Sequence, residues 1–335
     1  MSGDLMFGKE TTYGTAVATS RAIEVASDSL NGTRATSTVA STRWGALAAR
    51  RRNTINLPLK GSGDVELGIR TRGMGLLWQA AFGGASTSTL VPTTTVYQQV
   101  HRIANPLSSL TLQKLVPAIN ADGSFTDKPF TFPGVIISGF EVNVPQNDVA
   151  TVKFSLLTQT VKTDVPAATP VYPATDHVLH FAGACLFRDA IVKPTATALA
   201  TSSTPLANVK SMTLSVNSGA SAEGREFFCA GGLSARPLGQ LRTVTGTITA
   251  EFTSDGPFVD AFMNGSTMGL MLNLAAVEDS AEVVQFVMPE VTIDGDLPTL
   301  GNPGEVVQMS LKFTAWEDSA GDILIGVART YDTAL

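Results

Sequence analysis

Residues Gly3-Asp4-Leu5-Met6-Phe7-Gly8-Lys9 have the spacing of a phosphate-binding loop as far as its lysine. The next position must carry a hydroxyl to hold magnesium, and here it is Glu10, a carboxylate that would repel phosphate. Gly61-Ser62-Gly63 begins like a dinucleotide fingerprint but lacks its third glycine and a βαβ setting. Of the three histidines, His177 and His180 lie three apart beside Asp176, and His101 stands alone, so surface or capping roles fit them better than a triad or a metal site. Asp294 and Asp296 flank a glycine in a turn, with too few ligands for calcium. Cys185 and Cys229 are isolated and read as two buried free thiols. These patterns imply no catalytic residue, no cofactor and no metal; the chain is not read as an enzyme.

One basic cluster remains. Arg50-Arg51-Arg52, with Arg43 and Arg34 nearby, is too short and too poor in aromatics for strong nucleic-acid binding. A contact with an acidic neighbour fits it better. Residues 1–168 hold 15 Lys+Arg and 11 Asp+Glu, a net +4; residues 169–335 hold 8 and 18, a net −10. Halves of opposite sign can attract within a chain or between chains.

The elements that must carry these residues are mostly strands. The chain has 335 residues, 44% hydrophobic and 16% charged, enough for a packed core and too apolar for disorder. Abundant Thr, Ser, Gly and Val suit short strands and turns. The sequence shows no secretory leader and no run of ~18 apolar residues, so no membrane partner and a cytoplasmic folding environment are expected.

Pro166, Pro170 and Pro173 mark a linker near residues 164–176, and similar landmarks recur on either side of it. Gly45–Arg50 and Gly231–Arg236 both read G-x-L-x-A-R, and each precedes a Thr/Val/Ile strand, NTINLPLKG or RTVTGTITAEF. A short helix follows in each half: a glycine-broken one with Ile69, Leu76, Leu77, Ala80 and Ala81 inward, and SDGPFVDAFMNG, whose Asp255, Pro257 and Gly265 suit a cap, a first turn and a stop. Then come SLTLQKL and MGLMLNL, FPGVIISGFEV and MPEVTIDGDLP, and VATVKFSLLTQ and VVQMSLKFTAW, in one order. The expected architecture is mainly β: two tandem sandwich or barrel domains, 1–168 with an N-terminal arm and 169–335, each with one short flanking α-helix. Residues 83–107 are read as a long Ser/Thr-rich connection.

The opening FGKETTYGTAVA resembles the start of phage tail tube proteins, as do FAGACLFRDA, NVKSMTLSVNSG, RTVTGTITAEF, MPEVTIDGD and the terminal LKFTAWED with ILIGVAR. The resemblance implies sheets joined edge to edge into rings, with rings stacked into a tube in the tail of a long-tailed phage virion assembled in the host cytoplasm. It implies DNA passing from capsid to host through a neutral or acidic lumen, and tape-measure, tail-tip and terminator proteins as partners. Two copies per chain imply three chains in a pseudo-sixfold ring, with six chains and an outer second copy as the alternative. Strands such as VATVKFSLLTQ would be edges that the ring closes. Arg43, Gly45, Leu47, Arg50, Arg51, Arg52, Gly231, Leu233 and Arg236 become candidates for contacts between subunits or rings, with loops 32–52 and 219–241 reaching the adjacent ring. Another virion component, a terminator or neck protein, and a non-viral duplicated β-sandwich binding module are the rival readings.

Overall fold

The structure, a computed structural model, describes residues 3–39, 48, 51–206, 208–228, 231–252, 263–295 and 306–335. The alternating Thr/Val/Ile segments form strands and the chain is mainly β. In order they are β1 (Leu5–Lys9), β2 (Arg21–Ile23), β3 (Ser27–Asp28), β4 (Asn31–Thr38) and β5 (Thr54–Gly68), then helix α1 (Gly75–Phe82). Next are β6 (Ser88–Leu90), β7 (Tyr97–Arg102), β8 (Leu110–Ile119), β9 (Phe125–Val144) and β10 (Thr151–Thr158). The second half holds β11 (Ala184–Arg188), β12 (Thr204–Leu206), β13 (Val209–Asn217), β14 (Thr243–Glu251), β15 (Met268–Ala275), β16 (Val283–Gly295), β17 (Gln308–Trp316) and β18 (Ile325–Thr330).

The pairs between these strands are antiparallel. In the first half the neighbours run β4–β5–β10–β9–β8–β1–β2, and β3 extends β4 along β5. In the second they run β13–β14–β17–β16–β15–β11–β12. The two orders correspond strand for strand. Their irregularities correspond too. The β8–β9 register slips between Leu110 and Leu112, opposite Val135 and Phe132, and the β15–β16 register slips between Met268 and Leu270, opposite Val291 and Met288. Each slip lies against a proline, Pro133 or Pro289. Proline has no amide hydrogen for the ladder, and a bulge is where a strand accommodates it.

The halves are joined by strands. β9 is long enough to change partners: its first part pairs with β8, while its end lies between β10 and β13. β18 likewise pairs with both β16 and β7. One buried cluster draws on both halves. At its centre Trp78 of α1 meets Phe140 and Phe154 of the first half and Phe286 of the second edge to face, with ring centroids 5.9, 5.5 and 5.5 Å apart. Of the helix residues expected inward, Leu77, Ala80 and Ala81 are buried and Leu76 is partly so. The expected helix in SDGPFVDAFMNG falls almost wholly on 253–262, outside the described residues.

Some expectations are corrected. Residues 83–107 are not a plain loop, because β7 within them is an interior strand. Its Ser/Thr-rich composition reads as a connection, yet the polar residues Gln98, Gln99 and His101 of β7 are all buried. Gln98 Nε2 donates to Thr195 O (2.8 Å) and Ala198 O (2.9 Å), and His101 Nδ1 is 2.8 Å from Ser86 Oγ. Neighbours from elsewhere in the chain meet the polar demand that water would otherwise meet. β10, expected as an edge, lies between β5 and β9, so the open edge falls on β3 and β4 instead. Cys185 is exposed, because it occupies an outward position of β11; Cys229 lies outside the described residues. The proline-rich linker is laced to the first half: Ala168 N donates to Gln113 Oε1 (2.8 Å), Val171 N to Ser20 O (2.8 Å), and Leu179 is fully buried.

Candidate assembly surface

Strands with one core face and one polar face form a continuous run, β4–β5–β10–β9–β13–β14–β17–β16. Val152, Phe154 and Leu156 of β10 and Met309, Leu311 and Phe313 of β17 point into the core. Alternation places Lys153, Ser155, Lys312 and Thr314 on the opposite face. Cross-strand contacts confirm the sidedness. Ser155 Oγ donates to Asp64 Oδ1 (2.7 Å), Lys153 Nζ is 3.2 Å from Glu141 Oε2, Thr213 and Thr247 hydroxyls are 2.7 Å apart, and Trp316 Nε1 donates to Thr292 Oγ1 (2.9 Å). The Glu141 carboxylate, by hydrogen bond and charge, holds the Lys153 ammonium above its usual range, so it stays charged. The first-half portion of this face carries Asp64, Glu66 and Glu141 against Lys153. The second-half portion is mostly hydroxyl: Thr213, Ser215, Thr245, Thr247, Thr249 and Ser310. A shallow cavity of about 270 Å³ lies where the portions meet, lined by Asp64, Glu141, Lys153, Ser215 and Asn217 among others.

Above this face two connections leave the same end of the sheet. The β4–β5 hairpin extends as an arm, with Thr36, Ser37 and Thr38 paired to Asn56, Ile55 and Thr54. Val39, Ile55 and Leu57 are exposed on it. Arg51 and Arg52 begin a short 3-10 turn at its end and are exposed; Arg43, Gly45, Leu47 and Arg50 lie outside the described residues. The other connection, 218–242, carries Gly231, Leu233 and Arg236, and it packs against the first half of its own chain. Gln159 Nε2 donates to Ser234 O (2.8 Å), Arg242 Nη2 donates to Ala104 O (2.8 Å), Glu226 ion-pairs with Lys60, and Gly232 faces Pro58. Leu233 and Arg236 are half-buried there, and Gly231 has φ 62°, which suits glycine.

The charge asymmetry also acts within the chain. Arg70 of the first half pairs with Asp176 of the second (2.7 Å), Arg72 with the fully buried Glu282 (2.8 Å), and Arg102 with Asp322. Arg72 also lies over the Tyr331 ring, 4.8 Å from its centroid.

The residues that imitated catalytic motifs have structural work. Leu5–Lys9 is strand β1, not a phosphate loop. Glu10 is buried; its carboxylate accepts from Thr111 Oγ1 (2.8 Å) and from the amides of Gly134 (2.8 Å) and Gly14 (3.0 Å). It thereby ties the chain after β1 to the bulge of β9. The Tyr13 ring lies beside Gly134, and burial pushes its phenol up to about 12. Gly63 has φ 155°, and a Cβ there would run into Ser29 and Leu30. Gly246 holds the matching place in β14, where a Cβ would run into the Phe313 ring. His180 caps the turn at Phe181–Gly183, accepting from Ala182 N (3.3 Å). Among the described residues no cluster of His, Cys, Asp and Glu could hold a metal ion. Sequence reasoning missed Trp316, half-exposed on the polar face, and the Leu30–Leu214 correspondence; the shared glycine, Gly63 and Gly246, was the signal that could have aligned them.

The family model for phage tail tube proteins matches residues 2–315. The chain belongs to that family. Like the family, it has a structural role in the tail tube and is a component of the virion that assembles with itself into tubes. No curated protein matches the chain. In this tail tube protein the Glu10–Tyr13–Gly14 segment of the opening motif fixes a corner of the fold. No helix among the described residues is long and apolar enough to cross a membrane.

Proposed function

We propose that the chain carries two copies of one tube-forming unit, 1–168 and 169–335, and that three chains close a pseudo-sixfold ring of the tail tube. The matching strand orders of the two halves, with matching bulges at Pro133 and Pro289, carry this reading. A sheet whose units already stand side by side through β9–β13 repeats by rotation, and heterologous contacts that close a rotation make rings. The polar face lines the lumen in this reading. Its hydroxyls and its excess of carboxylates give DNA no set of cations to grip, so DNA slides from capsid to host without phosphate contacts that would slow it. The tape-measure protein would occupy the same lumen before ejection, and tip and terminator proteins would cap the two ends.

The rings would stack through the arm and the loops beside it, where Arg51 and Arg52 are exposed. Electron microscopy of the purified protein tests the proposal. Tubes of uniform diameter with three chains per ring are expected. Single rings that never stack would point to a terminator or neck role. A protein that stays monomeric at high concentration would sink the reading.

A further inference from the structure

Two of the strand edges left open among the described residues have counterparts in the interior, and the molecule thereby contains its own template for what closes them. The outer side of β3 and β4 pairs with nothing, and past Val291 the end of β16 pairs only with β17. In the interior, the position of β3–β4 is held by β13 and that of β16 by β9, and these two pair with each other. The correspondence can be followed residue by residue. Matching the core-facing Phe154 and Leu156 of β10 to Leu311 and Phe313 of β17 sets Val65 against Ile248 and Gly63 against Gly246. Through those partners Asp28 stands for Met212 and Gly32 for Val216. On the other side, Gly295 stands for Phe140.

Resting on the ring reading above, we propose that β3–β4 of one copy pairs antiparallel with the end of β16 of a second copy, in the register of the internal β9–β13 seam. Val216 faces Phe140 inside the chain, so Gly32 faces Gly295 of the second copy, and Thr33 comes beside Asp294. One further observation points to a second copy as the occupant. Trp316, the last residue of β17, holds the place that Gln159 holds just after β10. Gln159 is covered by the connection that follows β13, through Ser234. Trp316 is 51% exposed, with no such cover among the described residues. The described part of the incoming copy's arm, where Val39 after β4 and Ile55 and Leu57 of β5 are exposed, would cover it in the same way. Tryptophans exposed in a monomer and buried on assembly are typical anchors of an interface. Because the β3–β4 edge is more polar than β13, with Asp28 and Gly32 in place of Met212 and Val216, the free protein avoids random edge-to-edge pairing.

The test combines cross-linking with microscopy. In a chain with Cys185→Ser and Cys229→Ser, Thr33→Cys and Asp294→Cys are introduced together, and the protein is oxidised after assembly. Strand neighbours fall within disulfide reach, so non-reducing gels should show a ladder that ends at the trimer. Thr33→Cys with Glu290→Cys, displaced by roughly 13 Å along the strand, should remain unlinked. Tubes without the first link, or with the second, overturn the register while leaving the ring reading standing. A parent chain that makes no tubes overturns both. Trp316→Ala should raise the concentration needed for tubes at least tenfold, with an unchanged melting temperature for the monomer, and Trp316→Phe should recover most of it. Equal assembly of the alanine variant would overturn the anchor.

Discussion

The seam between β9 and β13 and the open edge of β3–β4 occupy the same place in their respective halves, yet their residues differ. β13 offers Met212, Leu214 and Val216 to the core; the edge offers Asp28, Leu30 and Gly32. Only the leucine is kept. A seam that forms once, inside one chain, can be apolar throughout. An edge that waits in solution for a partner must stay soluble until it meets one. The comparison separates what folds the subunit from what assembles it, and variants on the two sides should fail in different ways.

The largest effect is expected at Trp78, whose ring touches both halves. Trp78→Ala should cost about 3–5 kcal/mol, in the range for buried aromatics. Urea unfolding followed by circular dichroism should show one transition, because the core is shared. Two separate transitions in the parent would break the claim that the halves fold as one unit. Leu214→Ala should cost about 2–5 kcal/mol by the same measurement. Thr33→Asp on the edge, which sets a second carboxylate beside Asp294 of the next copy, should leave stability within about 0.5 kcal/mol and still impair tube formation, read by sedimentation.

The seam between β7 and β18 should respond to pH. Burial pushes the His101 imidazole down from 6.5 to about 3, so the fold holds it neutral. Below pH 6.5 the unfolded chain takes up a proton that the folded one refuses. Stability from this group is therefore complete above 6.5 and is lost as pH falls toward 3, by at most about 1.4 kcal/mol per pH unit. His101→Asn should flatten that slope in a stability-against-pH series; an unchanged slope would assign it to the carboxylates. The smallest effect belongs to the polar face. Glu141→Gln should change stability by less than about 1 kcal/mol, while the Lys153 titration followed by NMR moves down toward its usual range.

Much of the fold was legible because its strands alternate with period two and their prolines stand at bulges. FPGVIISGFEV and MPEVTIDGDLP could be matched by eye for that reason. The strand β7 was not legible, since Gln98, Gln99 and His101 look like surface residues until Thr195, Ala198 and Ser86 are brought beside them. The packing of the connection that carries Gly231, Leu233 and Arg236 was not legible, because the groups of its own chain that it touches, Lys60, Ala104 and Gln159, lie more than seventy positions away.

The sequence by itself determined that the chain is built of β-strands with a core face and a polar face and that similar landmarks recur in both halves. These follow from alternation, proline and glycine placement and residue chemistry, all of which are local. Only the tertiary structure decided which strands are interior, that both halves share one core through Trp78, and that β3–β4 leaves an edge open. Pairing joins residues remote in sequence, and a strand's own residues do not record which neighbour will take its second edge.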